Sequence, residues 1–266
     1  MKVYYSPTKV RLKKLYQADS SLNLIIIPGD PGLGSEYLLD FASSCMANFN
    51  IWLVDFPGCG NYLKFEKTNY SQYTSYIMEA AQYIEGEKIF MGHSYGAMLL
   101  MNSSEVSSIA DAIILMSATS MDMVKQEIDA AMFYRDLKSL VFSYQLSPSD
   151  ESFKNMVISL CSNFFSYKTS GKGTRMISNN SFSHKSFDYF INDFFRNYTI
   201  RYKFDLPTLI IGGEKDEITP ISLFKKSHQF SLDNIQIKEV RGAFHYPWIE
   251  NPRETRKNIV EFVNSI

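Results

Sequence analysis

A chain of 266 residues, 45% hydrophobic and 21% charged, has the composition of a globular protein and enough length for one large domain carrying an insertion. Its formal net charge of -1 gives no electrostatic reason to bind nucleic acid or an anionic membrane, so neither is expected as a partner. Cys45, Cys59 and Cys161 are odd in number and far apart. They outline neither a disulfide framework nor a metal site, which fits a reducing compartment. The opening Met1-Lys2-Val3-Tyr4 carries no apolar leader and no apolar run reaches bilayer length, so a cytoplasmic protein without a membrane span is expected.

Residues 9–17 read as an exposed strand with imperfect alternation. Residues 22–27 are nearly all apolar, as in a parallel strand covered on both faces, and stop at the turn Pro28-Gly29-Asp30-Pro31-Gly32. A helical stretch over 35–47 follows. Then come a buried strand over 51–55, the turn Pro57-Gly58-Cys59-Gly60 and a helix over 70–84. Another apolar run begins at Lys88 and passes through Gly92-His93-Ser94-Tyr95-Gly96 into helix-like sequence, and 111–116 adds a further strand. Four alternations of strand and helix predict a doubly wound, mostly parallel α/β sheet.

The alternation stops from 120 to 202, where the sequence is helical and aromatic with a break at Gly171-Lys172-Gly173-Thr174. It resumes with a strand at 208–211, a helix near 221–230, a strand over 235–240 and a closing helix near 252–263. The expected organisation is a core made of 1–118 and 204–266, with a helical lid, 119–203, inserted between two strands of one sheet.

Gly92 to Gly96 is Gly-x-Ser-x-Gly between a strand and a helix. A serine raised on so sharp a turn sits in a strained conformation, and side chains two residues to either side would collide with the turn. The helix that follows aims its free N–H groups at the reacting centre. An activated serine needs a base, and the base needs an orienting acid. His93 is adjacent to Ser94, but neighbours on a tight turn diverge, so it is a poor base and suits a wall or packing role. His184 and His228 read as surface or lid residues. His245 lies in Arg241-Gly242-Ala243-Phe244-His245, directly after the last strand, and is the candidate base. Asp216 lies in Gly213-Glu214-Lys215-Asp216-Glu217, also after a strand, and is the candidate acid, with Glu214, Glu217 and Asp122 as alternatives.

With Pro28 to Gly32, Asp55-Phe56-Pro57-Gly58-Cys59-Gly60, Gly92 to Gly96, Gly213 to Asp216 and Gly242 to His245, the chain resembles the α/β-hydrolase superfamily over essentially its whole length. The order Ser94, Asp216, His245 is that of its catalytic triad. The resemblance implies an oxyanion hole formed by the backbone N–H groups of Tyr95 and Asp30, chemistry that needs no metal and no cofactor, and Gly29, His93 and Trp248 as candidate pocket residues. Pro28 stands where relatives often have histidine. Asp30 places a carboxylate beside the oxyanion, so its side chain is expected to turn away and cap the next helix; the alternative is contact with a substrate amine. Asp55 suits a structural role at the end of its strand.

The implied activity is hydrolysis of an ester or thioester of a small-to-medium acyl group. A proline-iminopeptidase-like aminopeptidase is the alternative within enzymes. That subgroup usually has Asp-Gln-Arg-Gly where this chain has Asp55-Phe56-Pro57-Gly58, and Gly-Gly where it has Gly96-Ala97. A non-hydrolytic small-ligand receptor on the same scaffold is the alternative outside them. Lys154, Lys168, Lys172, Arg175, Lys185, Arg196, Arg201 and Lys203 face only Asp188 and Asp193 between 154 and 203. They read either as a solvated helix face or as a landing patch for an anionic acyl carrier.

Overall fold

The computed structural model describes residues 1–46, 49–62, 68–119 and 132–266. Its centre is one eight-stranded sheet in the order β1-β2-β4-β3-β5-β6-β7-β8. The strands are β1 (Lys2–Tyr5), β2 (Arg11–Tyr16), β3 (Asn23–Ile27), β4 (Asn50–Asp55), β5 (Lys88–His93), β6 (Ala112–Met116), β7 (Thr208–Gly213) and β8 (Ile235–Val240). β3 to β8 are mutually parallel, while β1 and β2 run antiparallel at one edge. Every residue of β3, β4 and β6 is buried, which is why these segments read as nearly continuous apolar runs. Alternate side chains enter opposite cores: Ile25 and Ile27 pack with Val54 and Phe90, Leu24 and Ile26 with Leu53 and Met91. Each such side chain contributes about 1.5–3 kcal/mol by leaving water.

The topology fixes where a ligand can approach. β3 has β4 on one side and β5 on the other, so the chain reverses its direction of travel across the sheet there. In open α/β sheets such a reversal leaves a crevice at the carboxyl ends of the strands. Pro28 follows β3 and Ser94 follows β5, so the turn and the elbow both open onto that crevice.

The flanking helices depart from expectation in detail. The stretch near 35–47 is a 3-10 turn, Ser35–Leu38, leading into α1 (Leu39–Ser44); α2 covers Tyr73–Gln82 and α3 covers Tyr95–Met101. The helix expected near 221–230 is split into Ser222–Lys226 and a 3-10 turn at His228–Phe230. The closing helix, Pro252–Val263, starts with proline at its first turn and the Asn251 side chain accepting from Glu254 N–H. Between the adjacent strands β6 and β7 the described residues form helices joined by short loops, including Met132–Gln145, Asp150–Ser159, Ser170–Ser178, His184–Tyr189 and a π turn at Phe190–Phe194, and no strand among them.

Three readings need correction. β1 was not anticipated; it is an exposed edge strand, held by pairing with β2 and by Tyr4 lying 5.7 Å from the Trp52 ring. Gly171-Lys172-Gly173-Thr174 does not break the insertion but forms the first half of helix Ser170–Ser178. Gly173 is buried against Phe165, and a Cβ there would stand 2.5 Å from that ring, so close packing offsets the poor helix propensity of glycine.

The third concerns β2, which is not an exposed strand. Lys13 is 5% exposed, with its ammonium 2.8 Å from both Asp55 and Glu36, and Arg11 Nε donates to Asp55 at 2.8 Å. Asp55 also accepts from Ser35 N–H at 2.7 Å, which fixes the start of the turn before α1. Burial pushes the Asp55 carboxyl up, but Lys13 and Arg11 more than reverse this and hold it below the usual range. Asp55→Ala would leave the buried Lys13 and Arg11 with Glu36 Oε1 as their one shared carboxylate among the described residues and would free Ser35 N–H. It is expected to cost about 3–5 kcal/mol, read from urea unfolding; a loss below about 1 kcal/mol would show that water fills the gap.

Candidate active site

Ser94 sits at the junction of β5 and α3 with φ 47° and ψ -115°. This is a positive-φ conformation that a non-glycine residue holds only when its surroundings enforce it, at about 1–3 kcal/mol. Enforcement comes from both ends: Ser94 N–H donates to Met116 C=O at 2.8 Å, and Ser94 C=O accepts the first bond of α3 from Met98 N–H at 3.0 Å. A Cβ on Gly92 would lie 2.4 Å from the Ala97 nitrogen, and one on Gly96 would lie 2.6 Å from the Pro28 carbonyl oxygen. Both elbow glycines are required by backbone contacts that no side-chain rotation relieves.

His245 and Asp216 arrive on the loops after β8 and β7. Lys215 N–H donates to Ala243 C=O at 2.8 Å, and a Cβ on Gly213 would meet the same carbonyl at 2.3 Å, so the two loops lie directly against each other. His245 Nε2 is 3.1 Å from Ser94 Oγ, and His245 Nδ1 is 2.9 Å from Asp216 Oδ2. The structure thus brings all three expected side chains within hydrogen-bonding reach. His245 and Asp216 are each 3% exposed, with the Phe164 ring of the insertion 5.8 Å from the imidazole. The Asp216 side chain is fixed by its own turn: Oδ1 accepts from the N–H groups of Ile218 and Thr219, and Oδ2 from the Thr219 hydroxyl at 2.7 Å. Burial pushes the Asp216 carboxyl up, but His245 and these hydrogen bonds outweigh it, so it stays ionised below the usual range. Of the alternative acids, Glu214 accepts from Gly242 N–H and Glu217 makes no hydrogen bond to His245, while Asp122 lies outside the described residues.

The expected oxyanion donors are not open in this conformation. Tyr95 N–H donates to Gly29 C=O at 3.1 Å. A trans peptide points its C=O and N–H in opposite directions, so Asp30 N–H faces away from Tyr95 N–H. Gly29 N–H donates to the Tyr37 hydroxyl at 2.7 Å, which anchors the other end of this turn. The Asp30 side chain does not cap a helix; its Oδ1 accepts from the Tyr246 hydroxyl at 2.6 Å, and Oδ2 is buried without a partner among the described residues. Burial raises the Asp30 carboxyl above its ordinary value despite the Tyr246 bond and the proximity of His245.

His93 and Trp248 are not exposed in a pocket beside the serine. His93 is 0% exposed and lies against the His245 ring at 5.2 Å, with Trp248 packed edge-on against it at 4.8 Å. His93 Nε2 is 3.2 Å from the His245 carbonyl, which only accepts, so Nε2 carries the proton and Nδ1 accepts from the Tyr37 hydroxyl at 3.1 Å. This chain of bonds links the His245 loop to the Pro28–Gly32 turn. Sequence reasoning missed Tyr37, Thr219 and Tyr246. Thr219 was within reach, three residues after Asp216 in a turn-forming segment. Tyr37 and Tyr246 join partners 56 and 216 positions away and leave no local signal.

Burial, with the nearby His245, pushes the His93 imidazole down to about 3 from 6.5. Between those values the unfolded chain binds a proton that the folded chain refuses. Stability is therefore full above about pH 6.5 and lost progressively as the pH falls toward about 3. His93→Gln is expected to flatten the fall in urea midpoint between about pH 6.5 and 4; an unchanged slope would assign that proton uptake to another group.

A mostly parallel sheet with helices on both faces, a serine on a strand-to-helix elbow and a His–Asp pair delivered by later loops together define the α/β-hydrolase fold. The model of the alpha/beta hydrolase family matches residues 24–257, and the chain belongs to that family. Among solved structures, an alpha/beta fold family hydrolase from Bacillus anthracis str. Sterne superposes with a TM-score of 0.74 at 18% identity, covering 99% of this chain and 98% of that one. An esterase from Exiguobacterium antarcticum gives 0.72 at 14% identity, with 98% of each chain covered. A proline iminopeptidase-related protein from Thermus thermophilus gives 0.69 at 16% identity, covering 99% and 97%. No curated protein matches the sequence. Among the described residues, no helix is long and apolar enough to cross a membrane.

Proposed function

We propose that this protein is a serine hydrolase that cleaves a carboxylic ester or thioester of a small-to-medium acyl group through an acyl-enzyme on Ser94. The observation that carries the reading is the unbroken line Ser94 Oγ, His245 imidazole, Asp216 carboxylate, at 3.1 and 2.9 Å. The unprotonated imidazole takes the serine proton as Oγ attacks the carbonyl carbon. The imidazolium, held by Asp216, then protonates the leaving alcohol or thiol, and water attacks the acyl-enzyme with His245 again as base. The tetrahedral oxyanion needs Tyr95 N–H, so the substrate carbonyl has to displace Gly29 C=O from it. A rotation of the 29–30 peptide releases that donor and swings Asp30 N–H toward the same point, which gives the turn a gating role. A donor gained only at this stage lowers the barrier and does not tighten ground-state binding.

The aromatic insertion suits an apolar acyl group. The test is turnover of p-nitrophenyl esters from acetate to laurate, together with fluorophosphonate labelling. A wild-type protein that is not labelled yet binds small ligands would be a receptor on this scaffold. One feature favours a second reading, an aminopeptidase: the unpartnered Oδ2 of Asp30 is a ready acceptor for a substrate ammonium. Faster turnover of prolyl arylamides than of any ester would make that reading the first.

A further inference from the structure

We infer that the Tyr37 and Tyr246 hydroxyls are positioning groups that hold the oxyanion turn in register with His245, one on each side of the peptide joining Gly29 to Asp30. Their role presupposes the serine-hydrolase reading of Ser94. Gly29 N–H, before that peptide, donates to the Tyr37 hydroxyl at 2.7 Å. Asp30, after it, accepts through Oδ1 from the Tyr246 hydroxyl at 2.6 Å.

Both tyrosines are tied to the loop that carries His245. Tyr246 directly follows His245 in the chain. Tyr37 reaches the loop through His93, whose Nδ1 accepts from its hydroxyl at 3.1 Å and whose Nε2 lies 3.2 Å from the His245 carbonyl. Tyr37 is 3% exposed and Tyr246 0%, and their rings meet edge to face at 6.1 Å. Trp248 stacks along Tyr37, and Phe165 of the insertion stacks along Tyr246 at 4.8 Å. Each hydroxyl is therefore carried by a ring that is itself held in place.

Rotation of the 29–30 peptide turns its C=O and N–H about the line between two Cα atoms, and leaves Gly29 N–H and the Asp30 side chain where they are. The two tyrosine bonds can thus persist through the rotation that opens the oxyanion site. The bond from Tyr95 N–H to Gly29 C=O cannot, because the substrate carbonyl replaces it. From that moment the tyrosines still tie the turn to the His245 loop, while its own carbonyl no longer ties it to the elbow. Misplacing a donor by about 1 Å can cost on the order of 10²-fold in rate. A tetrahedral state forms in both acylation and deacylation, so lost alignment slows both steps together. That lowers kcat and leaves KM in place.

Active sites are counted first, by fluorophosphonate titration of Ser94, so that kcat refers to labelled serine alone. Tyr246→Phe and Tyr37→Phe are each expected to lower kcat on the best p-nitrophenyl ester on the order of 10–10²-fold, with KM within about twofold of wild type. Butylboronic acid adds to Ser94 Oγ, with the serine proton passing to His245, and its tetrahedral adduct puts an oxygen at the oxyanion position. Its affinity is expected to fall by a similar factor. Rescue separates positioning from packing. Asp30→Asn keeps an oxygen for the Tyr246 hydroxyl and Asp30→Ala does not, so kcat should be about tenfold lower in the alanine variant than in the asparagine one. If Tyr37→Phe does not fold, Tyr246→Phe and the two Asp30 variants decide. Labelled protein whose tyrosine variants keep kcat, or lose it only with a matching rise in KM, overturns the proposal, as does equal kcat in the two Asp30 variants. Wild-type protein that is neither labelled nor active on any ester fails the hydrolase reading itself, and the positioning role with it.

Discussion

Ser94→Ala is expected to lower turnover of an accepted ester on the order of 10⁴–10⁶-fold and to abolish fluorophosphonate labelling, with the thermal midpoint unchanged or raised. The midpoint is expected to hold because alanine removes no side-chain hydrogen bond other than the one to His245 at 3.1 Å. Asp216→Asn should cost about 10⁴-fold in kcat for a different reason. The amide can present an N–H to His245 Nδ1 where the carboxylate accepts one, so the imidazole adopts the tautomer that cannot take the serine proton. The turn around residue 216 would keep its shape, since Ile218 and Thr219 still donate to a side-chain oxygen. Steady-state kinetics on the best p-nitrophenyl ester measures both. Ser94→Ala protein turning over within tenfold of wild type would remove Ser94 as the nucleophile.

Gly29→Ala is expected to have the largest effect on folding. A Cβ at this position would stand 1.7 Å from the His93 carbonyl oxygen and 2.4 Å from its carbon. Both are backbone atoms of β5, the strand that carries the elbow, so relief requires the sheet or the turn to move. Displacing the turn would also break the Gly29 N–H to Tyr37 and Tyr95 N–H to Gly29 C=O bonds. A loss of about 4 kcal/mol or more is expected, equivalent to a fall of roughly 10 °C in Tm for a chain of this size. By contrast, Gly171→Ala, where a Cβ meets nothing, should be neutral or slightly stabilising in the same melt. Equal melting of Gly29→Ala and wild-type protein would mean that the turn is free to reshape.

The parts of the fold that were legible are those where one local pattern has one physical cause. β3, β4 and β6 announce themselves because a strand covered on both faces is apolar along its middle, with Asn23, Asn50 and Asp55 confined to strand ends. The Gly92 to Gly96 elbow is visible because glycine spacing and a strained serine are consequences of one turn. What was misread depended on partners far along the chain. Lys13 looks like a solvent-facing residue of an edge strand until Asp55, 42 positions later by the numbering, supplies the charge that makes its burial tolerable. Gly173 looks like a helix breaker until Phe165 fills the place a side chain would occupy.

The sequence by itself determined the alternation of strand and helix, the elbow, and the loops on which a base and an acid would be found, because each is written in residues a few positions apart. The tertiary structure alone decided which donors are open and which are occupied. Gly29 C=O holds Tyr95 N–H, Tyr246 holds Asp30, and His93 turns its back on the serine to support the carbonyl of His245. The physical reason is that a hydrogen bond is satisfied by whatever lies within about 3 Å in space, and proximity of that kind is set by the packing of the whole sheet.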